Sequence, residues 1–176
     1  DTPSSGIGGK LEVRPPVGGG FVPRLGVDYR KSQGDLHEIR YQPSGAENGM
    51  RYAGGENTDL GFYAENDWLL GPLTLTGGVR ADRWTIRDGY HRNLNASGVE
   101  LPGSAEYANR SGWDTSYRGG AMVQVTPEVR VRAAAYSGLR LPTLNELYRP
   151  FVVFPITTNA NAELENERLE GYEAGL

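Results

Sequence analysis

The stretch DLGFYAENDWLL alternates: Leu60, Phe62, Ala64, Trp68 and Leu70 fall on one side of an extended chain, with Asn66 as an exception, and Gly61, Tyr63, Glu65 and Asp67 on the other. Period-two alternation predicts a strand with one apolar and one polar face. The next run repeats it, Leu73, Leu75, Gly77, Val79 and Ala81 opposing Thr74, Thr76, Gly78, Arg80 and Asp82, and only Gly71-Pro72 separates the two, which predicts a tight hairpin. Further on, Trp113, Thr115, Tyr117, Gly119, Ala121, Val123 and Val125 oppose Asp114, Ser116, Arg118, Gly120, Met122 and Gln124. After a turn at Thr126-Pro127-Glu128, Val129, Val131, Ala133 and Ala135 alternate with Arg130, Arg132, Ala134 and Tyr136. GIGGKLEVRP reads as an earlier strand, PPVGGG as a turn, residues 21–41 as a long strand with a bend at Gly34, and EGYEAGL as the start of a last strand. The neighbours in sequence should pair in order, 59–70 with 72–86, 72–86 with 112–125, and 112–125 with 128–139.

Short connections alternate with long polar ones, expected at about 43–57, 88–111 and 140–169. An up-and-down meander with tight turns at one end and long loops at the other is the pattern of outer-membrane barrels. The fold class expected is therefore all-β, an open segment of about seven strands from an antiparallel up-and-down transmembrane β-barrel. The competing fold is a soluble sandwich. Three features favour lipid: small residues on the apolar face (Gly77, Ala81, Gly119, Ala121, Ala133, Ala135), where a core wants bulk; Trp68, Trp84, Trp113 and Tyr117 placed like an aromatic girdle; and charges at successive positions of the other face. Leu73, Leu75, Val79, Val123, Val129 and Val131 should share the lipid side, and Val131→Arg should cost about 2–4 kcal/mol if it lies near midplane.

Composition narrows the classes. The 25 glycines and 11 prolines cluster between the alternating runs, as many short strands and turns require. Mean hydropathy is -0.53, which excludes a large private core but not a barrel in which every second strand residue faces lipid. A net charge of -4 with scattered basic residues argues against nucleic acid. No cysteine and only His37 and His91 leave no metal-ligand cluster, and no cofactor is called for. No apolar run reaches the length of a helical span. The start at Asp1 shows no signal peptide and reads as an internal cut.

The segment RLPTLNELYRPF follows directly on a strand. Thr143 and Glu146 fit a capping box, and Leu144, Leu147 and Tyr148 lie at helical spacing, so a single helical turn is expected at the barrel's outer rim. SGLRLPTLNELYRPF, followed by TTNANAELENERLEGYEAGL, resembles the barrel of TonB-dependent outer-membrane receptors, and the hairpins before it extend the likeness over residues 24–176. Arg140, Pro142, Thr143, Glu146, Leu147 and Tyr148 match one motif of that family. Asn161, Leu164, Glu167, Glu173, Gly175 and Leu176 match a second, with Asn166 where the family usually has proline. These residues are expected to be structural, with Glu146 capping, Leu147 and Tyr148 packing, and Glu167 and Arg168 pairing with wall charges.

The resemblance implies that residues 1–176 are a partial barrel domain, without plug, TonB box or terminal aromatic strand, of a barrel with roughly 22 strands. It implies a Gram-negative outer-membrane receptor that actively takes up a scarce nutrient. A ferric siderophore is the first expectation, then cobalamin, haem or a glycan. The partners implied are outer-membrane lipid, the TonB complex through the missing plug, and a small-molecule or iron-chelate ligand. Tyr90, His91, Arg92, Tyr107, Arg110, Arg149, Phe151 and Phe154 are the candidate ligand contacts, taken as aromatic and cationic loop residues. The alternative is a soluble carbohydrate-binding module stacking sugars on Trp84, Trp113 and Tyr117. An enzyme is disfavoured: Asp82, Asp88, Glu100 and Glu106 fall in no catalytic motif.

Overall fold

The computed structural model describes residues 1–153 and 155–176, the side chains of Phe151, Val152, Val153 and Thr157 excepted. In chain order the elements are β1 (Ser4–Val13), β2 (Phe21–Tyr41), β3 (Glu47–Leu70), β4 (Leu73–Leu94), β5 (Ala105–Glu106), β6 (Arg110–Gln124), β7 (Arg130–Arg140), α1 (Leu144–Tyr148), β8 (Phe151–Val153), β9 (Ile156–Thr158) and β10 (Glu167–Gly175). One antiparallel sheet runs β1-β2-β3-β4-β6-β7-β10, with β5 alongside the end of β4 and β8-β9 a separate small hairpin. Every large strand pairs with its sequence neighbour, as the alternation requires. The sheet is open, β1 and β10 being its edges, and no second sheet covers its apolar face among the described residues, which removes the sandwich.

The tight turns behave as read. Gly71, at φ 64, closes the β3-β4 hairpin with the mirror-region backbone that glycine adopts without cost, and the Val129 amide donates to the Thr126 carbonyl at 3.3 Å in the β6-β7 turn. The opposite end differs from expectation. β3 spans 24 residues and β4 spans 22, about twice the 9–11 that cross a bilayer. The segment expected as loop at 43–57 is largely strand, leaving only 42–46 between β2 and β3, and β4 runs on to Leu94 through the start of 88–111. The cause is continued cross-strand pairing: Arg51↔Asn93 and Ala53↔His91 prolong the β3-β4 ladder, and Leu36↔Ala53 prolongs β2-β3.

The register fixes which side chains share a face. Leu70, Leu73, Val123 and Val131 form one row, Leu25, Ala64, Val79 and Tyr117 another, and Tyr29, Leu60, Arg83 and Trp113 a third. The next row is polar from β2 to β6, with Lys31, Thr58, Thr85 and Ser111, and carries Ile7 on the edge strand β1. On β4 the apolar band therefore runs from Leu73 to Arg83, one bilayer thickness. Three expectations shift. Trp84 lies on the opposite face, its Nε1 donating to Asp114 Oδ2 at 2.9 Å, so it is no girdle residue. Tyr117 sits mid-band and not at a strand end, and Val131 sits beside the turn and not at midplane. Trp68 covers Gly77, where an added Cβ would come within 3.0 Å of its ring, so a large residue is paired with a vacancy across the strand.

The small core lies on the polar face. Leu36, Ala53, Ile86, Leu147 and Tyr148 are buried together, with Trp84, Tyr107, Leu144 and Ala162 against them. α1 thus packs on the polar face of β3 and β4, and not at the outer rim.

Candidate functional site

The polar face is a wall of paired charges. Near its middle the Arg80 guanidinium donates to Asp28 at 2.5 and 2.9 Å and to Asp82 at 2.8 and 2.9 Å. Toward the tight turns Arg24 pairs with Glu65 at 3.0 Å and also with Asp67, Arg118 pairs with Glu65, and the Tyr63 hydroxyl donates to Glu12 at 2.5 Å. Charges at this density need water or partners, so the face is built for an aqueous interior.

Above this lies α1. The Thr143 side chain accepts from the Glu146 amide at 3.3 Å, and the Glu146 carboxylate accepts from the Thr143 amide at 2.8 Å, the capping box that the sequence announces. Arg140, at the end of β7, donates to Glu146 at 3.0 and 3.1 Å and to Glu167 at 2.6 and 2.7 Å. One guanidinium therefore ties helix, β7 and β10 together. Arg140 first, and then the Thr143 backbone and hydroxyl, hold the Glu146 carboxyl down at about 2. The Asn161 amide donates to the Glu146 carbonyl at 3.0 Å, and Arg110 donates to the Leu164 carbonyl at 2.7 Å. Arg168 and Asn166 both donate to Asp114, at 2.7 and 2.8 Å. Asn166, where the family expects proline, thereby gains a bond that proline could not make. Pro142 contributes its carbonyl, which accepts from Asn57 at 3.1 Å.

Beside α1 a cationic patch occupies the upper polar face. Arg149 donates to Glu38 at 2.5 Å, Arg51 lies 3.6 Å from Glu38 and donates to the Pro150 carbonyl at 2.9 Å, and Arg40 donates to the Leu94 carbonyl at 3.1 Å. Among the described residues Glu38 is the carboxylate that Arg149 and Arg51 pair with, and Arg40 is held by a backbone carbonyl instead. His91, 8 % exposed, faces the same side opposite Ala53, and burial pushes its imidazole below the ordinary range. Glu38, Arg40 and Arg51 were not singled out by sequence, because their segment reads as strand end and loop. Their period-two spacing with Leu36 and Ala53 was the available signal.

The eight candidate ligand residues do not form one site. Tyr90, His91 and Arg92 are on β4 and not on a loop, and Tyr90 and Arg92 face away from His91. Asp88, at φ 52, sits in a bulge where the β3-β4 register shifts between Gly54 and Glu56, and the extra residue rephases the strand. The Tyr90 hydroxyl donates to Asp35 at 2.7 Å; burial first, then Asp35, pushes it up to about 12. Tyr107 stacks on Tyr148 with centroids 5.1 Å apart, and its role is packing. Among the described candidates Arg149 joins the cationic patch and His91 faces the same side. The Phe151 side chain and Phe154 lie outside the described residues. A sugar platform of Trp84, Trp113 and Tyr117 is ruled out, since Trp84 is on the other face from the other two. Among the described residues no cluster of carboxylates and histidines could hold a metal.

The fold is similar to the crystal structure of the ferric yersiniabactin uptake receptor FyuA from Yersinia pestis, with a TM-score of 0.67 and 14% identity over 99% of this chain and 26% of that one. That identity shows the fold, and the chain spans about a quarter of that receptor's length. No curated protein matches the chain. The family described as TonB dependent receptor-like, beta-barrel matches residues 3–176, and with the single sheet, the band one bilayer thick and the capped helix of RLPTLNELYRPF, the chain belongs to that family of receptors and transporters, which is not a family of enzymes.

Proposed function

We propose that the chain is part of the barrel wall of a Gram-negative outer-membrane receptor that takes up a scarce nutrient, with a ferric siderophore as substrate. The rest of the receptor would supply the remaining strands and a plug, through which TonB drives inward passage. The observation that carries this reading is the cationic patch of Arg40, Arg51 and Arg149, held at the long-loop end of a charged wall whose other face carries a lipid-thick band. Half-buried guanidiniums suit an anionic iron chelate. In the full-length receptor, Arg40→Gln/Arg51→Gln should weaken binding of a ferric catecholate by about tenfold or more while leaving the folded, heat-modifiable barrel intact. Unchanged binding, or a deletion strain that takes up ferric chelates normally, would exclude a ferric siderophore.

A further inference from the structure

Above the band, His91 is buried in the wall with one of its two ring nitrogens unpaired. It is 8 % exposed, and the bulge at Asp88 puts it on the inner face, opposite Ala53 and Ala105. Its Nδ1 stands 3.3 Å from the Gly103 carbonyl. A carbonyl only accepts, so Nδ1 carries the hydrogen and Nε2 of the neutral ring is a bare acceptor. Among the described residues that Nε2 is buried and has no hydrogen-bond partner. An orphan acceptor is costly in the free protein, and its lone pair is open to a proton.

The charges on this side are mostly positive. The pairs Ala53↔His91 and Arg51↔Asn93 make Arg51 the diagonal neighbour of His91, about 7–8 Å away along the sheet. Arg40 lies further along the same face on β2, and Arg149 enters from the end of α1. The carboxylate among them, Glu38 on β2, is already held by Arg149 at 2.5 Å and by Arg51 at 3.6 Å. Glu146 on α1 is tied to Arg140, while Glu100 and Glu106 line a cavity on the outward side with Arg92. Burial first, and then Arg51 and Arg40, hold the imidazole below its ordinary range, although the Gly103 carbonyl pulls the other way.

We propose that His91 is the proton-linked member of this patch: an anionic chelate held by Arg40, Arg51 and Arg149 offsets their repulsion, and the imidazole takes a proton from solvent at Nε2. The ring then adds its own charge, with Nε2 as a donor, to the hold on the ligand. This linkage rests on the reading of the patch as the chelate site. The gain in affinity is absent above the pKa of the bound state, grows as pH falls through it, and is complete below the lower pKa of the free state. A rise of about one unit on binding gives about a tenfold gain.

The test follows deuterium exchange at the imidazole C2 carbon by mass spectrometry, which reports the pKa of each histidine separately. The full-length receptor is measured across about pH 5.5–8, free and saturated with a ferric tris-catecholate. The His91 midpoint should rise by about one unit with the chelate, while His37, which faces outward against Tyr52, stays in place as the internal control. In the free receptor Arg51→Gln should raise the His91 midpoint, since it removes the guanidinium on the diagonal. His91→Asn keeps a donor for the Gly103 carbonyl but cannot titrate, so its ratio of chelate affinity between acid and alkaline ends should fall about tenfold below that of the wild type, with folding checked by heat-modifiable migration. An unchanged His91 midpoint in a receptor that binds the chelate overturns the proton linkage and leaves the chelate site standing. An equal shift of both histidines, or a free-state midpoint indifferent to Arg51→Gln, overturns the linkage as well. A receptor that binds no chelate at any pH overturns the reading of the patch and the linkage with it.

Discussion

Truncating Leu147 to alanine tests what holds the capped helix on the wall. Leu147 is 0% exposed and packs with Leu36, Ala53, Ile86 and Tyr148. Leu→Ala removes three carbons, about 2.4 kcal/mol at roughly 0.8 kcal/mol each, and any cavity left behind raises the total toward 2–5 kcal/mol. α1 is only five residues long and lies on a sheet held by its own ladder, so the loss should appear as local opening. Its reporters are the amides of Leu147 and Arg149, which donate to Thr143 and Asn145 at 3.1 and 3.0 Å. In the full-length receptor their hydrogen exchange should accelerate about 50-fold at 2.4 kcal/mol, tenfold per 1.4 kcal/mol, while the β3 and β4 amides stay unchanged. Unaltered exchange would refute apolar anchoring and assign the helix to the Arg140 ion pairs instead.

Glu146 supplies a pH dependence: its folded pKa, about 2, is depressed below the ordinary 4.5, so its contribution is complete above pH 4.5 and is lost as pH falls toward 2; α1 protection factors, taken relative to the intrinsic exchange rate at each pH, should fall across that window, and those of Glu146→Gln should be low at pH 7 and flat with pH. Val79→Arg, mid-band, should cost about 2–4 kcal/mol for folding into bilayers and Val131→Arg about 0–1, as depth dictates; equal costs would contradict the register. Gly89→Ala places a methyl in the Tyr148 ring and should destabilise by about 1–3 kcal/mol, with faster α1 exchange as readout and no effect as the refuting result.

Alternation made the strand order, the pairing partners and the two faces legible, because a half-buried strand writes its face into every second residue. The helix was legible too, since Thr143 and Glu146 form a local motif that needs no tertiary knowledge. Strand length was not. Residues 47–57 and 88–94 carry few apolar residues, since above the band both faces meet water, and there the pattern that reveals a strand fades although the ladder continues. Arg149 was among the candidates, but Arg40 and Arg51 were missed, one at a strand end and the other in a segment that reads as loop.

The bulge at Asp88 shows why single residues near a strand end resist prediction even when the strand itself is clear. Without the extra residue, the phase that puts Asp82, Trp84 and Ile86 on the polar face would carry Tyr90 and Arg92 there too. They would then meet the three guanidiniums and form the aromatic, cationic cluster that the sequence suggests. The bulge instead turns Gly89 and His91 inward. Gly89 opens room for Tyr148, so the family's helix can lie flat on the wall, and Tyr90 and Arg92 are delivered to the outside. One residue with φ 52 therefore decides two surfaces: it seats α1 beside the inner patch, and it turns Tyr90 and Arg92 to the outer face.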